Sequence, residues 1–236
     1  MLRIEHLTKT YGSKKAVDDL SLHIMPGEIY GFIGHNGAGK TTTIKACCGI
    51  LQFDKGEIYV NGTSVKADPL KCKRELAYIP DNPDLYEFLS GIKYLNFVAD
   101  IFGVPKADRE ARIHKYADMF SITDDLAQPI SAYSHGMKQK LCLVASLLFN
   151  PKIWVLDEPT VGLDIMAVEE LKKMMREYAN HDKTVFVTSH NIELVSKICD
   201  RVAIINDGKV SALYDLNKEP NRRLQLSKLF LETYGE

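Results

Sequence analysis

The sequence predicts an α/β protein: a parallel sheet covered by helices on both faces, an antiparallel β region ahead of it, and an inserted helical segment. Three observations carry this. Short, almost wholly apolar strands recur as "KIWVLDEP", "TVFVTSH" and "RVAIIND". Helical patterns, "AVEELKKMMREYA" and "IELVSKIC", separate them. Strands apolar on both sides and alternating with helices belong to a parallel sheet buried on both faces. From about Leu85 to Leu148 the pattern is helical throughout.

Each element follows in order. "LRIEHLTKTYG" and "VDDLSLHIMPGEIYGFIG" predict strands with turn punctuation, including the Pro26-Gly27 pair. "KTTTIKACCGIL" predicts a helix closed near Gly49, and "GEIYVNGTSV" a hairpin turning at Asn61-Gly62. "LSGIKYLNFVADIFGV", "DREARIHKYADMFSI" and "MKQKLCLVASLLF" each place apolar residues three or four apart. The expected organisation is one domain over residues 1–215, with the helical segment at about 85–148 inserted. A polar link and surface helix then occupy 216–236. No internal repeat and no low-complexity segment interrupts the pattern.

Composition narrows the function classes. The formal net charge is −1, so a mainly electrostatic grip on nucleic acid is not suggested, and no nucleic-acid partner is expected. Runs such as "LVASLLF" fall well short of the roughly 20 apolar residues a membrane helix needs. The start, "MLRIEHLTK", alternates charged and apolar residues and is not read as a secretory signal. Five cysteines without CxxC spacing predict reduced thiols packed as small hydrophobes, hence a cytosolic chain.

The strongest chemical signal is "GHNGAGKT", which fits G-x-x-x-x-G-K-[ST] with Gly34, Gly39, Lys40 and Thr41 in the fixed places. It follows an apolar strand and opens a helix, the context this phosphate-binding loop requires. Glycines let the backbone curl so that N–H groups converge on phosphate oxygens, and the helix start adds favourable potential. The expected cradle is Gly34, His35, Asn36, Gly37, Ala38, Gly39, Lys40, Thr41 and Thr42. Lys40 can bridge β- and γ-phosphates, and the Thr41 hydroxyl can ligate Mg²⁺. The fold class is therefore a P-loop NTPase core. "IWVLDEP" ends a buried strand in two acids: Asp157 to hold the magnesium and Glu158 to polarise the attacking water. "VFVTSHN" repeats the design, placing His190 where it can reach a γ-phosphate. "YSHGMKQK" is a second anion-ready helix start, with Ser134 able to cap and Gly136 leaving N–H groups uncovered.

Together, "GHNGAGKT", "YSHGMKQK", "WVLDEPTVGLD" and "VTSH", in this order, resemble the ATP-binding subunits of ABC transporters, from "LTKTYG" to "NDGKV". The resemblance explains why one chain has two anion sites. In that family two subunits meet head to tail, and each ATP lies between one P-loop and the partner's signature helix. It implies that Tyr11 stacks on adenine and that Ser134, His135, Gly136 and Met137 form the signature acting in trans. Asp164 would lie on the dimer seam and His190 would sense the γ-phosphate. The implied partners are ATP with Mg²⁺, an identical or related ATPase subunit, and an integral membrane permease. The implied location is the cytoplasmic face of the cell membrane.

Departures from the family pattern refine this. The signature is usually LSGGQ; here it is Tyr-Ser-His-Gly-Met. A glutamine that touches the magnesium is replaced by Asp81 in "YIPDNPDLY", and a carboxylate can also ligate Mg²⁺. Only 46 residues follow His190 (190 to 236), as in the ATPases of ABC-2-type exporters. Tyr86, Phe88 and Tyr94 in "NPDLYEFLSGIKYL" are expected to form an exposed docking surface for the membrane subunit. The expected function is an ATP-hydrolysing exporter motor. The alternatives are a soluble ABC-type ATPase of DNA repair or translation, which usually has two cassettes or a long coiled coil, and a P-loop kinase or GTPase. "NKEP" at 217–220 lacks the aspartate of a guanine reader.

Overall fold

A computed structural model describes residues 1–234. It contains two sheets. The first is antiparallel, in the order β2-β1-β4-β5, from β1 (Leu2–Tyr11), β2 (Lys14–Ile24), β4 (Lys55–Val60) and β5 (Thr63–Ser64). The second runs β10-β9-β3-β8-β7-β6, from β3 (Ile29–Ile33), β6 (Leu76–Ile79), β7 (Ile153–Asp157), β8 (Thr184–Ser189), β9 (Arg201–Asn206) and β10 (Lys209–Asp215). All neighbours in it are parallel except β10, which returns antiparallel on β9.

Strands β3, β7 and β8 are buried at every position because each feeds two cores. Successive side chains point to opposite faces. Ile29, Ile33, Trp154, Leu156, Val185, Val187, Val202 and Ile204 pack on the face shared with α5 (His135–Leu147), α6 (Ile165–Ala179) and α7 (Ile192–Ile198). Their neighbours Tyr30, Phe32, Ile153, Val155, Phe186, Ala203 and Ile205 pack on the other face, against α1 (Lys40–Cys47) and the antiparallel sheet. A strand with no solvent face cannot show polar alternation.

The helical segment is built from α3 (Gly91–Ile101), α4 (Lys106–Met119) and α5, following the predicted apolar spacing. All five cysteines are free thiols, four of them buried and Cys142 partly buried. Besides two three-residue 3-10 turns, three elements have no counterpart in the sequence pattern: α2 (Pro69–Glu75), β6 and β10. β6 is four residues long, too short for its period to register, and α2 buries only Cys72, so no apolar stripe marks it. The last helix, α8 (Pro220–Tyr234), lies on the surface and packs onto the core through the fully buried Leu226, while Leu224 and Leu231 stay exposed. Among the described residues no helix is long and apolar enough to cross a membrane. Tyr94 is a further correction: it is half-buried against the core, because its turn of α3 faces α5. Tyr86 and Phe88 are exposed as expected.

Candidate functional site

Parallel β3, β7 and β8 end on one edge of the sheet, which brings Gly34, Asp157 and His190 to the same side. The loop after β3 is backbone packed on backbone. A Cβ on Gly34 would meet Ile205 O at 2.6 Å. Gly39 has φ +111°, and a Cβ there would meet Ala16 O at 2.4 Å. Both positions therefore require glycine. No side chain caps the start of α1, whose first residue is Lys40. Lys40 Nζ donates to Gly34 O at 2.7 Å and His35 O at 3.2 Å, so the ammonium is folded over its own loop. Burial pulls its pKa down, with Glu158 and Asp157 opposing.

Asp157 is fully buried, and its Oδ1 accepts from Thr188 Oγ1. Burial pushes its carboxyl up, partly offset by the hydroxyls of Thr188 and Thr41. Oδ2 has no partner. An unpaired buried carboxylate oxygen beside a threonine hydroxyl fits a small hard cation. Among the described residues no three His, Cys, Asp or Glu side chains could hold an ion alone, so phosphate oxygens and water would complete its shell.

Glu158 stands in the left-handed region at φ +48°, held there by its N–H, which donates to Thr188 O at 3.2 Å and Thr188 Oγ1 at 3.1 Å. This turn swings its side chain back across the strand ends. Oε2 accepts from His190 N at 3.2 Å and lies 2.9 Å from His190 Nδ1. Oε1 lies 3.9 Å from Lys40 Nζ. The three residues assigned to catalysis from sequence thus form one cluster.

An open cleft of ≈ 310 Å³ lies over the loop, lined by Tyr11, Asn36, Gly37, Gly39, Lys40, Thr41, Thr42, Asp81 and Glu158, and also by Lys14 and Ala16. Tyr11 is half exposed at the end of β1. His35 turns aside to Asn36 O and Asn206 Oδ1.

The second anion-ready turn lies elsewhere. Ser134 caps α5, its Oγ accepting from Met137 N at 3.2 Å. Ser134 and His135 are exposed, and none of residues 134–137 lines the cleft. The turn is instead keyed to the loop after Glu158. A Cβ on Gly136 would meet Gly162 O at 2.4 Å, and one on Gly162 would meet His135 Cδ2 at 2.3 Å. Lys140 Nζ donates to Asp164 Oδ2 at 2.8 Å, while Asp164 Oδ1 caps α6 through Ala167 N. Lys140 also holds the Asp164 carboxyl below its usual range.

Known proteins match this chain in sequence and in fold. The ABC transporter family model matches residues 17–161. The chain belongs to the ABC transporter family. Uncharacterized ABC transporter ATP-binding protein YhcH of Bacillus subtilis (strain 168) is 37% identical over 224 residues, covering 93% of this chain and 71% of that protein. SkfA peptide export ATP-binding protein SkfE of the same organism is 32% identical over 210 residues, covering 89% and 87%. A solved "ATP binding subunit of ABC transporter" superimposes with a TM-score of 0.93 at 30% identity, covering 99% of each chain.

This ABC transporter ATP-binding subunit is an ATPase. ATPases of the family use ATP with Mg²⁺, and Asp157 and Thr41 are the residues fit to hold that ion. Two features are not legible in the motifs alone: Thr188, which hydrogen-bonds the Asp157 carboxylate and the Glu158 backbone N–H, and the pairing of Lys140 with Asp164. "VTSH" contained the first signal: a hydroxyl inside an otherwise apolar strand. Gly39→Ala is expected to abolish ATP binding, because the added methyl must displace Ala16 or open the loop. Titration with a fluorescent ATP analogue checks this; wild-type affinity would refute the cradle.

Proposed function

We propose that this subunit is the ATP-driven motor of a membrane exporter, working as a pair of ATPase chains bound to a separate membrane subunit. The observation that carries the pairing is the Ser134–Met137 turn, a helix start with Ser134 and His135 exposed that lies outside the chain's own cleft. A second subunit facing head to tail would bring that turn onto the first subunit's γ-phosphate. Closure then depends on ATP, because these contacts exist only when the triphosphate is present.

Within one cleft the roles follow from chemistry. Tyr11 stacks on the adenine. Lys40 exchanges the carbonyls of Gly34 and His35 for phosphate oxygens, a stronger charge-assisted pairing. Glu158 takes the proton of the attacking water, and His190, bonded to it, orients the carboxylate and contacts the γ-phosphate. Bound Mg²⁺, held by Thr41 and Asp157 with Asp81 alongside, would neutralise charge on the β- and γ-phosphates. Loss of the γ-phosphate releases the seam near Asp164.

The helical segment at about 85–148 would carry the movement to the membrane subunit. An apolar groove of ≈ 260 Å³ between β6, α3 and α5 is lined by Leu85, Tyr94, Val98, Phe102, Cys142 and Phe149, among others. Tyr86, Phe88 and Phe97 stand exposed, with Tyr86 packed edge-on against Phe97 and Tyr94. An exposed aromatic cluster beside a groove suits a partner helix. The export direction rests on relatives such as the peptide export protein SkfE, and the peripheral location on the cytoplasmic membrane face follows from the same pairing.

Co-expression with a candidate membrane permease tests this reading. The chain is expected to copurify with it in mild detergent, and Phe88→Asp to lose it while ATP affinity stays the same. Copurification with ribosomes or DNA instead would favour the soluble ABC-type ATPase.

A further inference from the structure

We infer that Arg223, on the C-terminal helix α8, is a positioning residue for His190. The inference rests on the catalytic role proposed above for the Glu158–His190 pair. His190 directly precedes α7, whose start is capped by Asn191: its Oδ1 accepts from Leu194 N at 3.0 Å. Helix α7 has only seven residues, so about two turns separate its far end from its start, which follows two residues after His190.

That far end is clamped by two arginines from other elements. Arg223 Nη1 donates to Ser196 O at 2.6 Å, and its Nη2 donates to Cys199 O at 3.0 Å. Arg176 of α6 donates to Ile198 O. A guanidinium placed at final-turn carbonyls satisfies orphan acceptors and complements the helix dipole. Its planar fork fixes direction as well as distance, which a lysine cannot do.

The clamp is itself anchored. Arg223 Nη2 donates to Asn217 Oδ1 at 3.2 Å, and Asn217 Nδ2 donates to Asp200 Oδ1 at 3.0 Å. Asp200 is buried, accepts from Arg176 Nη1 at 3.0 Å, and takes Ile29 N at 2.8 Å. Ile29 opens β3, the strand that leads into the phosphate loop. The tail helix thus ties α7 to the frame that carries Lys40. Without Arg223, α7 keeps its packing on the sheet but loses two of its end restraints. His190 then samples more orientations relative to Glu158. A displacement of about 1 Å at a catalytic group can cost on the order of 10²-fold in rate.

The test is single-turnover ATP hydrolysis by the full-length chain carrying Arg223→Ala, His190→Ala, both, or Arg223→Lys. Arg223→Ala is expected to slow the chemical step about tenfold with ATP affinity changed less than about twofold. Arg223→Lys, which can hold one carbonyl, should recover part of the rate. In the His190→Ala background, Arg223→Ala should have no further effect. An equal loss in both backgrounds, or no loss in either, would overturn the inference and leave Arg223 a purely structural clamp. An unaltered rate for His190→Ala alone would instead refute the catalytic pair, and the inference with it.

Discussion

Glu158→Gln is expected to lower ATP turnover by roughly 10²- to 10⁴-fold, the usual contribution of a positioned general base. The amide keeps an acceptor for His190 N and nearly the same volume, so the local fold survives. Thermal unfolding should move by no more than about 1 kcal/mol. Lys40 loses the carboxylate 3.9 Å away but keeps its two carbonyl partners. ATP should therefore still bind and accumulate unhydrolysed. With both ATP molecules intact the paired state persists, and size-exclusion chromatography with Mg²⁺ and ATP should report a dimer that wild type forms only transiently. Undiminished hydrolysis would remove Glu158 from the role of base.

Gly136→Ala carries the second large effect, and its sign is set by a tertiary contact. Helix propensity alone favours alanine over glycine by about 1 kcal/mol. The added methyl, however, would lie 2.4 Å from Gly162 O, a backbone atom that cannot move aside cheaply. Either the turn at Ser134 or the loop at 159–164 must shift. ATP affinity of the isolated chain should change less than about twofold, since Gly136 is outside its cleft, while turnover falls more than about tenfold. Mixing tests whether the turn acts on a partner. A chain with Gly136→Ala retains its cradle, and one with Lys40→Ala retains its turn. Each alone should be inactive, but together they rebuild one complete composite site and should regain turnover. No recovery in the mixture would place the turn's action within its own chain and sink the paired model.

The two expectations differ in how much of each was visible beforehand. Glu158 could be named from "VLDEP", because a buried apolar strand ending in acids in a P-loop chain leaves few other roles. The left-handed turn that aims it at His190 could not, since φ +48° depends on Thr188 from another strand. Gly136 was legible only as a small residue at a helix start. That Gly162 O presses on it, and that His135 fills the space over Gly162, are contacts between segments some 26 residues apart. His135 itself looked like a departure from a glycine-rich pattern; in the structure it is half of an interlock.

The apolar strands, the phosphate loop and the order of the motifs determined by themselves the α/β class, the nucleotide chemistry and the family. These are local properties: side-chain alternation, glycine conformational freedom and the placing of charged groups at strand ends each act within a few residues. Tertiary structure alone decided which strands are neighbours, which carboxylate oxygen of Asp157 is left unpaired, that Tyr94 turns inward, and that α8 docks. Those outcomes depend on packing and hydrogen bonding between segments far apart in the chain, where no short sequence window holds both partners.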